Sequence, residues 1–181
     1  MIDNIVIRPP LPADHLEIAA LIQNLIPRYL SREVTPEGVA ILRAQAQPGP
    51  VGARLNGIAD PTWSPALVAA TGSRVIGFGA VRGGTHITQL HVAEDWHGRG
   101  VGARLVRGLI EAVQQRHPAA ETVTLGAVPG ALTAYLRMGF VPVRPRWRWR
   151  GIVGQPMQIR VSNLIHRKAP RPAIRQKSRG R

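Results

Sequence analysis

Apolar and polar positions alternate most clearly between Leu90 and Val113. A strand-like run ends at Leu90-His91-Val92. Val101, Leu105, Leu109 and Val113 then recur every fourth residue, with Val106, Ile110 and Ala112 widening the stripe. That spacing is the buried face of an amphipathic helix. Strand and helix are joined by Ala93-Glu94-Asp95-Trp96 and His97-Gly98-Arg99-Gly100-Val101-Gly102-Ala103. The glycines therefore stand at a helix N-terminus, where the first N–H groups lack intrahelical partners and the dipole is positive. With no Cβ in the way, an anion can reach that backbone. The pattern predicts a site for phosphate or pyrophosphate.

The rest of the chain supplies strands and helices around this stretch. Ile2 to Arg8 reads as a strand ended by Pro9-Pro10. A helix follows from Pro12 to about Leu25, with Leu16, Ala19, Ala20 and Ile26 on its expected inner face, and Pro27 stops it. After the loop Tyr29 to Glu33, Thr35 caps a second helix that runs to about Gln47. Pro48 to Pro65 carries no period and reads as an irregular connection.

Ala66 to Ala70, Val75 to Arg82 and Thr85 to Val92 then form three consecutive strands, an antiparallel meander turning at Thr71-Gly72-Ser73-Arg74 and at Gly83-Gly84. In the last of them Ile87 falls on one parity and Leu90 and Val92 on the other. A bulge near residues 88 to 90 would bring all three to one face; in a strand buried on both faces the parity carries no meaning. Beyond the central helix, Thr122 to Leu125 is a fifth strand, so the helix is a parallel crossover. Pro129 to Met138 is a short helix closed by Gly139. Phe140 to Arg150 and Met157 to Leu164 read as a hairpin joined around Gly151 to Pro156.

Composition narrows the class. A chain of 181 residues can bury its own core as one domain. No apolar run approaches the roughly 20 residues that span a bilayer. Asp3 and Arg8 within the first strand argue against a signal peptide, and there is no cysteine for disulfides, thiolate zinc sites or a thiol nucleophile. A cytoplasmic location is the resulting expectation. The net charge of +14 is concentrated: 12 of the 24 basic residues and none of the 10 acids lie from Arg144 to Arg181. The body of the chain is close to neutral, so the charge does not mark a nucleic-acid-binding fold.

Which phosphate ligand fits is decided by context. Gly98 to Ala103 also satisfies a dinucleotide fingerprint, but no acid ends the following strand and nearly half the chain precedes the glycines. No Gly-Lys-Ser or Gly-Lys-Thr is present for a Walker loop. The segment instead resembles the central motif of the GNAT superfamily of N-acetyltransferases, Q/R-x-x-G-x-G/A, with His97 where the family usually has Gln or Arg. Ala134-Tyr135-Leu136-Arg137-Met138-Gly139-Phe140 is similar to a second GNAT segment, Y-x-x-x-G-F, although Val128 stands where many relatives have Asn.

The resemblance implies an α/β fold over residues 1–164: a mixed, mostly antiparallel sheet of six to seven strands, a bulged fourth strand and about four helices. It implies acetyl-CoA as co-substrate and acetyl transfer to a primary amine by direct attack. Leu90, His91 and Val92 would bind the pantetheine arm, and His97, Gly98, Arg99, Gly100, Val101, Gly102 and Ala103 the pyrophosphate. Tyr135 would protonate the departing thiolate, as a phenol of pKa about 10 facing a thiol of about 8.5 can. A homodimer is a common state of the family.

A base is harder to name. The strand Thr85 to Val92 contains no carboxylate, which leaves His86, or Glu33 through ordered water, as candidates beside the plainer reading of both as ordinary polar residues. Neither His15, His97, His117 and His166 nor Glu94-Asp95 forms a metal-ligand spacing, so no metal is expected. Arg144, Arg146, Arg148 and Arg150 alternate with Pro145, Trp147 and Trp149. On a strand this puts arginines on a wet face and tryptophans on a half-buried one, or it walls an acceptor site that favours acidic or aromatic substrates. Residues 165–181 read as a disordered basic tail able to touch nucleic acid nonspecifically. The acceptor is a small molecule or a peptide amine. The competing class is a non-catalytic acyl-CoA-binding or nucleic-acid-associated module.

Overall fold

The computed structural model describes residues 5–29, 34–55 and 64–162. Glu33, residues 56–63 of the Pro48 to Pro65 connection, the boundary near residue 164 and the basic tail lie outside them. Eight strands form one mixed sheet: β1 (Val6–Arg8), β2 (Ala66–Thr71), β3 (Arg74–Arg82), β4 (His86–Val92), β5 (Thr122–Ala127), β6 (Val141–Pro142), β7 (Trp147–Trp149) and β8 (Ile152–Arg160). Their order is β1-β2-β3-β4-β5-β8-β6, with β7 also on β8. Every pair is antiparallel except β4 with β5, the crossover made by α4 (Val101–Arg116).

The expected inner stripe of α4 is the observed one: Val101, Leu105, Val106, Leu109, Ile110 and Val113 are all buried. The helix lies so close to β3 that a Cβ on Gly79 would fall 2.8 Å from Leu109 Cδ1, and one on Gly77 2.9 Å from Leu105 Cδ1. Two strand glycines thus make room for two helix leucines. The opposite face of β3 carries Ile76 and Phe78, both fully buried, against α1 (His15–Leu25) and α3 (Pro48–Leu55). With β3 buried on both faces, its sequence is a near-continuous apolar run, as such strands require.

Four elements differ from the sequence reading. Of the expected inner residues Ala19 and Ile26 are buried, but Leu16 is 56% exposed and Ala20 faces solvent, and the large side chains that α1 buries are Ile18, Leu21, Ile22 and Leu25. These four satisfy the i, i+3, i+4, i+7 stripe, which the larger spread from Leu16 to Ile26 does not. Pro48 to Leu55 is the helix α3, not an irregular segment. Both its prolines sit in the first turn, where the missing N–H groups have no intrahelical partner in any case. The segment from Phe140 to Arg150 is not one strand: β6 and β7 are separated by a stretch containing Pro145, giving eight strands in place of six to seven.

The hairpin turn is also tighter than expected. Arg150 and Gly151 have φ of 45° and 76°, the two left-handed residues of a two-residue hairpin loop, so β8 starts at Ile152. That turn is where α2 (Pro36–Gln45) is anchored. Thr35 N–H donates to the Gly151 carbonyl at 2.9 Å, and Thr35 Oγ1 accepts from Gly38 N–H at 3.3 Å as the N-cap.

Among the described residues, Asp14 and His91 are the buried polar or charged side chains. Asp14 accepts two bonds from Arg8, at 2.7 and 3.0 Å, and its pKa is lowered mainly by that pairing. His91 Nε2 lies 2.6 Å from Gln89 Oε1, so its ring donates there, and burial lowers its pKa from 6.5 to about 4.

Two stability predictions follow from these contacts. A Cβ on Gly151 would collide with Thr35 Oγ1, whereas one on Gly72, at φ 57°, meets nothing within 4 Å. In urea melts, Gly72→Ala should cost only the backbone term of about 1–2 kcal/mol, and Gly151→Ala clearly more. For His91, the unfolded chain gains a proton below pH 6.5 while the folded protein does not until about pH 4. Stability should therefore fall as pH drops through that window, by up to about 3 kcal/mol, and level off below it. His91→Gln should flatten that part of the curve.

Candidate functional site

β4 is paired on both sides only at its beginning. Its register with β3 extends from Arg82↔His86 to Gly77↔Val92. Its register with β5 consists of His86↔Thr124 and Ile87↔Leu125. β5 continues to Ala127, paired with β8. From Gln89 onward the two parallel strands diverge, and the edge of β4 toward β5 has no strand partner among the described residues. A free parallel edge bounded by two strands is a slot lined by backbone hydrogen-bonding groups.

The expected bulge is at Thr88. The register steps from Val81↔Ile87 to Ala80↔Gln89, leaving Thr88 as the extra residue. It sets side-chain direction on the rest of the strand. Leu90 and Val92 point toward α4, reaching within 3.4 Å of a Cβ on Gly79 and 3.6 Å of one on Gly102. Ile87, before the bulge, is buried with Val106 and Leu109. Gln89 and His91 point the other way, into a 40 Å³ cavity with Ile22, Ile26, Leu42, Val51 and Arg54.

At the open end of the slot stands the glycine loop. Gly98 and Gly100 have φ of 73° and 79°, a backbone that side chains rarely adopt, and a Cβ on either would meet no atom within 4 Å. The space in front of the loop is thus clear, and the first N–H groups of α4 face it. Gly100 is the N-cap, and its carbonyl accepts the first helical bond from Arg104 N–H at 3.0 Å. Trp96 is buried beneath the loop, with the Arg99 guanidinium 5.0 Å from its ring centre.

His97, the departure from the family motif, has a role that sequence did not reveal. Its Nε2 donates to the Val92 carbonyl at 2.7 Å. The ring ties the glycine loop to the end of the diverging strand and consumes a carbonyl that strand pairing leaves free. The loop, the free edge of β4 and the helix N-terminus are brought together by the structure, as the sequence pattern requires. An extended ligand with a phosphate-bearing end fits this arrangement: amide-rich atoms can pair with the β4 edge while the anion meets the loop.

Tyr135 lies on α5 (Leu132–Met138), which follows β5 and ends at the left-handed Gly139 with φ 100°. Its ring is 9% exposed and packs edge-on against Phe140 at 5.7 Å. It thus sits on the β5 side of the slot, held by core contacts. Val128, in place of the family's Asn, begins the turn into this helix and accepts from Ala131 N–H through its carbonyl at 2.9 Å.

The two described histidines of β4 differ. His86 stands at the paired start of the strand, its Nδ1 2.8 Å from Thr124 Oγ1. The residue is exposed, yet partial desolvation of the ring, and then the charge of Arg82, lower its pKa. The lowered pKa keeps the ring mainly neutral at pH 7. His91, near pKa 4, is too weak a base to compete for an ammonium proton. Glu33 lies outside the described residues. Among those residues, no cluster of three or more His, Cys, Asp or Glu could hold a metal, and no helix is long and apolar enough to cross a membrane.

Comparison with known proteins bears on this geometry. The family model of the acetyltransferase (GNAT) domain matches residues 32–161. No curated protein matches the chain. Among solved structures, a GCN5-related N-acetyltransferase from Rhodopseudomonas palustris aligns with TM-score 0.71 at 24% identity, over 87% of this chain and 97% of that one. PaiA N-acetyltransferase from Thermoplasma acidophilum, solved with coenzyme A, gives 0.70 at 12% identity over 87% and 99%. YncA from Salmonella typhimurium, solved with its cofactor acetyl-CoA, gives 0.63 at 16% identity over 87% and 94%. The structural likenesses establish the fold, and the family match covers most of the described chain. Together with the slot and its glycine loop, they lead to one conclusion: this chain belongs to the GNAT family of acetyltransferases.

Proposed function

We propose that the protein transfers an acetyl group from acetyl-CoA to a primary amine that attacks directly. The observation that carries this reading is the divergence of β4 from β5 after Ile87↔Leu125, with the Gly98–Gly100 loop at its open end. Acetyl-CoA, when bound, supplies the activated acetyl thioester. The backbone of Leu90, His91 and Val92 lines the pantetheine arm, with the Val92 carbonyl held by His97, and a donor from that edge polarises the thioester carbonyl. His97 to Ala103 hold the pyrophosphate with backbone amides and the helix dipole.

Chemistry at the slot then needs two proton movements. The incoming ammonium must lose a proton before its nitrogen can attack. His86 is the base in this reading: it is neutral at pH 7 and lies on the face of the sheet away from α4, by which an acceptor can enter. Tyr135, fixed on the β5 side, gives its phenolic proton to the sulfur that leaves as the new amide bond forms. The burial of Tyr135 supports this role because it limits competition from water.

The test is an acetylation assay that follows thiol release with a panel of amines, using the full chain. Tyr135→Phe should lower kcat by about a hundredfold or more while leaving the affinity for acetyl-CoA unchanged. With His86 as base, the rate should fall on the acid side at a pH below the ordinary imidazole range, because its folded pKa is lowered. His86→Gln should remove that limb. Thiol release that persists undiminished in Tyr135→Phe would rule out the assigned acid.

A further inference from the structure

We propose that the amine acceptor is an arylalkylamine, a primary amine on a short chain ending in an aromatic ring, and that Trp147 selects it. This inference rests on the acetyltransferase reading above and adds the substrate class. It begins from two glycines. Gly154 pairs with Trp147 across β7 and β8, and Gly126 lies on the neighbouring strand β5. A Cβ on Gly154 would collide with the indole, and one on Gly126 would come within 3.2 Å of Trp147 Cζ2. The ring lies flat on sheet backbone that only glycine leaves bare. It remains 40% exposed, so part of its surface is available.

The place of that ring gives it meaning. Gly126 directly follows Leu125, the last residue of β5 paired with β4. Trp147 therefore stands beside the point at which the slot opens. Along β5 the two-residue period puts Gly126 with Thr124 on one face, while Val123, Leu125 and Ala127 are buried on the other against the α4 side. His86 bonds to Thr124, so the base and the indole share the face by which an acceptor enters. Helices pack on the β3 part of this face, and Trp147 lies over β5 and β8.

The half-buried face that the alternation predicts for both tryptophans holds in part: Trp149 is 52% exposed, while Trp147 lies against Gly126 and Gly154, as the acceptor-wall reading of the hairpin requires. A large aromatic surface kept beside a reaction slot suits a planar ring, by stacking or edge contact. Charge points the same way. The strands building this face, β4, β5, β7 and β8, contain no Asp or Glu, and the hairpin around Trp147 carries Arg144, Arg146, Arg148 and Arg150. A polyamine or aminoglycoside would bring several positive charges to strands that carry arginines and no carboxylate. A single ammonium that gives up its proton on reaction avoids that cost. Gly126 next to the slot keeps ring and amine close, which sets the short tether.

The experiment compares wild type, Trp147→Ala and Trp147→Phe with phenethylamine and spermidine. Rates are measured at saturating acetyl-CoA, and acetyl-CoA affinity is titrated separately. Wild type should favour phenethylamine over spermidine by tenfold or more in kcat/KM. Trp147→Ala should raise the phenethylamine KM about tenfold with kcat and acetyl-CoA affinity unchanged, and Trp147→Phe should restore most of the loss. Preference for spermidine, or an unchanged KM in Trp147→Ala, would overturn the inference while leaving the acetyltransferase reading intact. If wild type binds no acetyl-CoA, that reading fails. Equilibrium titration of phenethylamine alone then decides on Trp147: binding weakened in Trp147→Ala supports the aromatic site, and equal or absent binding refutes it.

Discussion

The site depends on β4 being hydrogen-bonded along its length to one neighbour and only at its start to the other. Parallel pairing with β5 stops at Ile87↔Leu125, and Thr88 bulges at the same level. A bulge adds a residue to one strand, increases local twist and interrupts the ladder. Here it leaves backbone groups of β4 without a strand partner toward β5 among the described residues. Without the divergence, β4 and β5 would satisfy one another, and the glycine loop would border a closed sheet. Buried backbone groups need partners, and under the proposed function an amide-bearing ligand supplies them.

That arrangement needs a rigid support, which glycine and leucine provide together. Gly77 and Gly79 bring α4 down onto β3, fixing the N-terminus of the helix relative to the strand that leads into it. His97 closes the same loop from the other side by donating to Val92. On the far face, Glu17 of α1 accepts from Val75 N–H at 2.6 Å, joining the helical layer to the start of β3. The side proposed for the acceptor is built differently, from the Arg150–Gly151 turn that seats Thr35 and from the indole laid across Gly126 and Gly154. One side of the slot is thus built on the glycine loop and α4, and the other on the hairpin and its indole.

Much of the first side was legible in sequence because it obeys strong local rules. The Val101–Val113 stripe, the glycines before it, the Gly72 turn and the parity change at Ile87 each express one period or one backbone need. The rest depended on tertiary packing. Several apolar residues of α1 can be grouped into a face, and only contact with β3 selects Ile18, Leu21, Ile22 and Leu25 over Leu16 and Ala20. The helix α3 was hidden by Pro48 and Pro50, whose breaking effect vanishes in a first turn. The placement of Trp147 could not be read from its own alternation with arginine, since it is set by glycines on two other strands. His97 looked like a neutral exchange in a motif carried by backbone amides, and its bond to Val92 appears only in three dimensions.

The central claim, that the slot and its glycine loop form an acetyl-CoA site, is tested most directly by isothermal titration of acetyl-CoA into wild type and Gly100→Glu. The substitution sets a carboxylate where the pyrophosphate is placed and puts a side chain at φ 79°, so circular dichroism must first show that the variant is folded. The account predicts saturable one-site binding by wild type and its loss in the folded variant. A folded wild type that takes up no acetyl-CoA, or a folded variant that binds it equally well, would contradict the account.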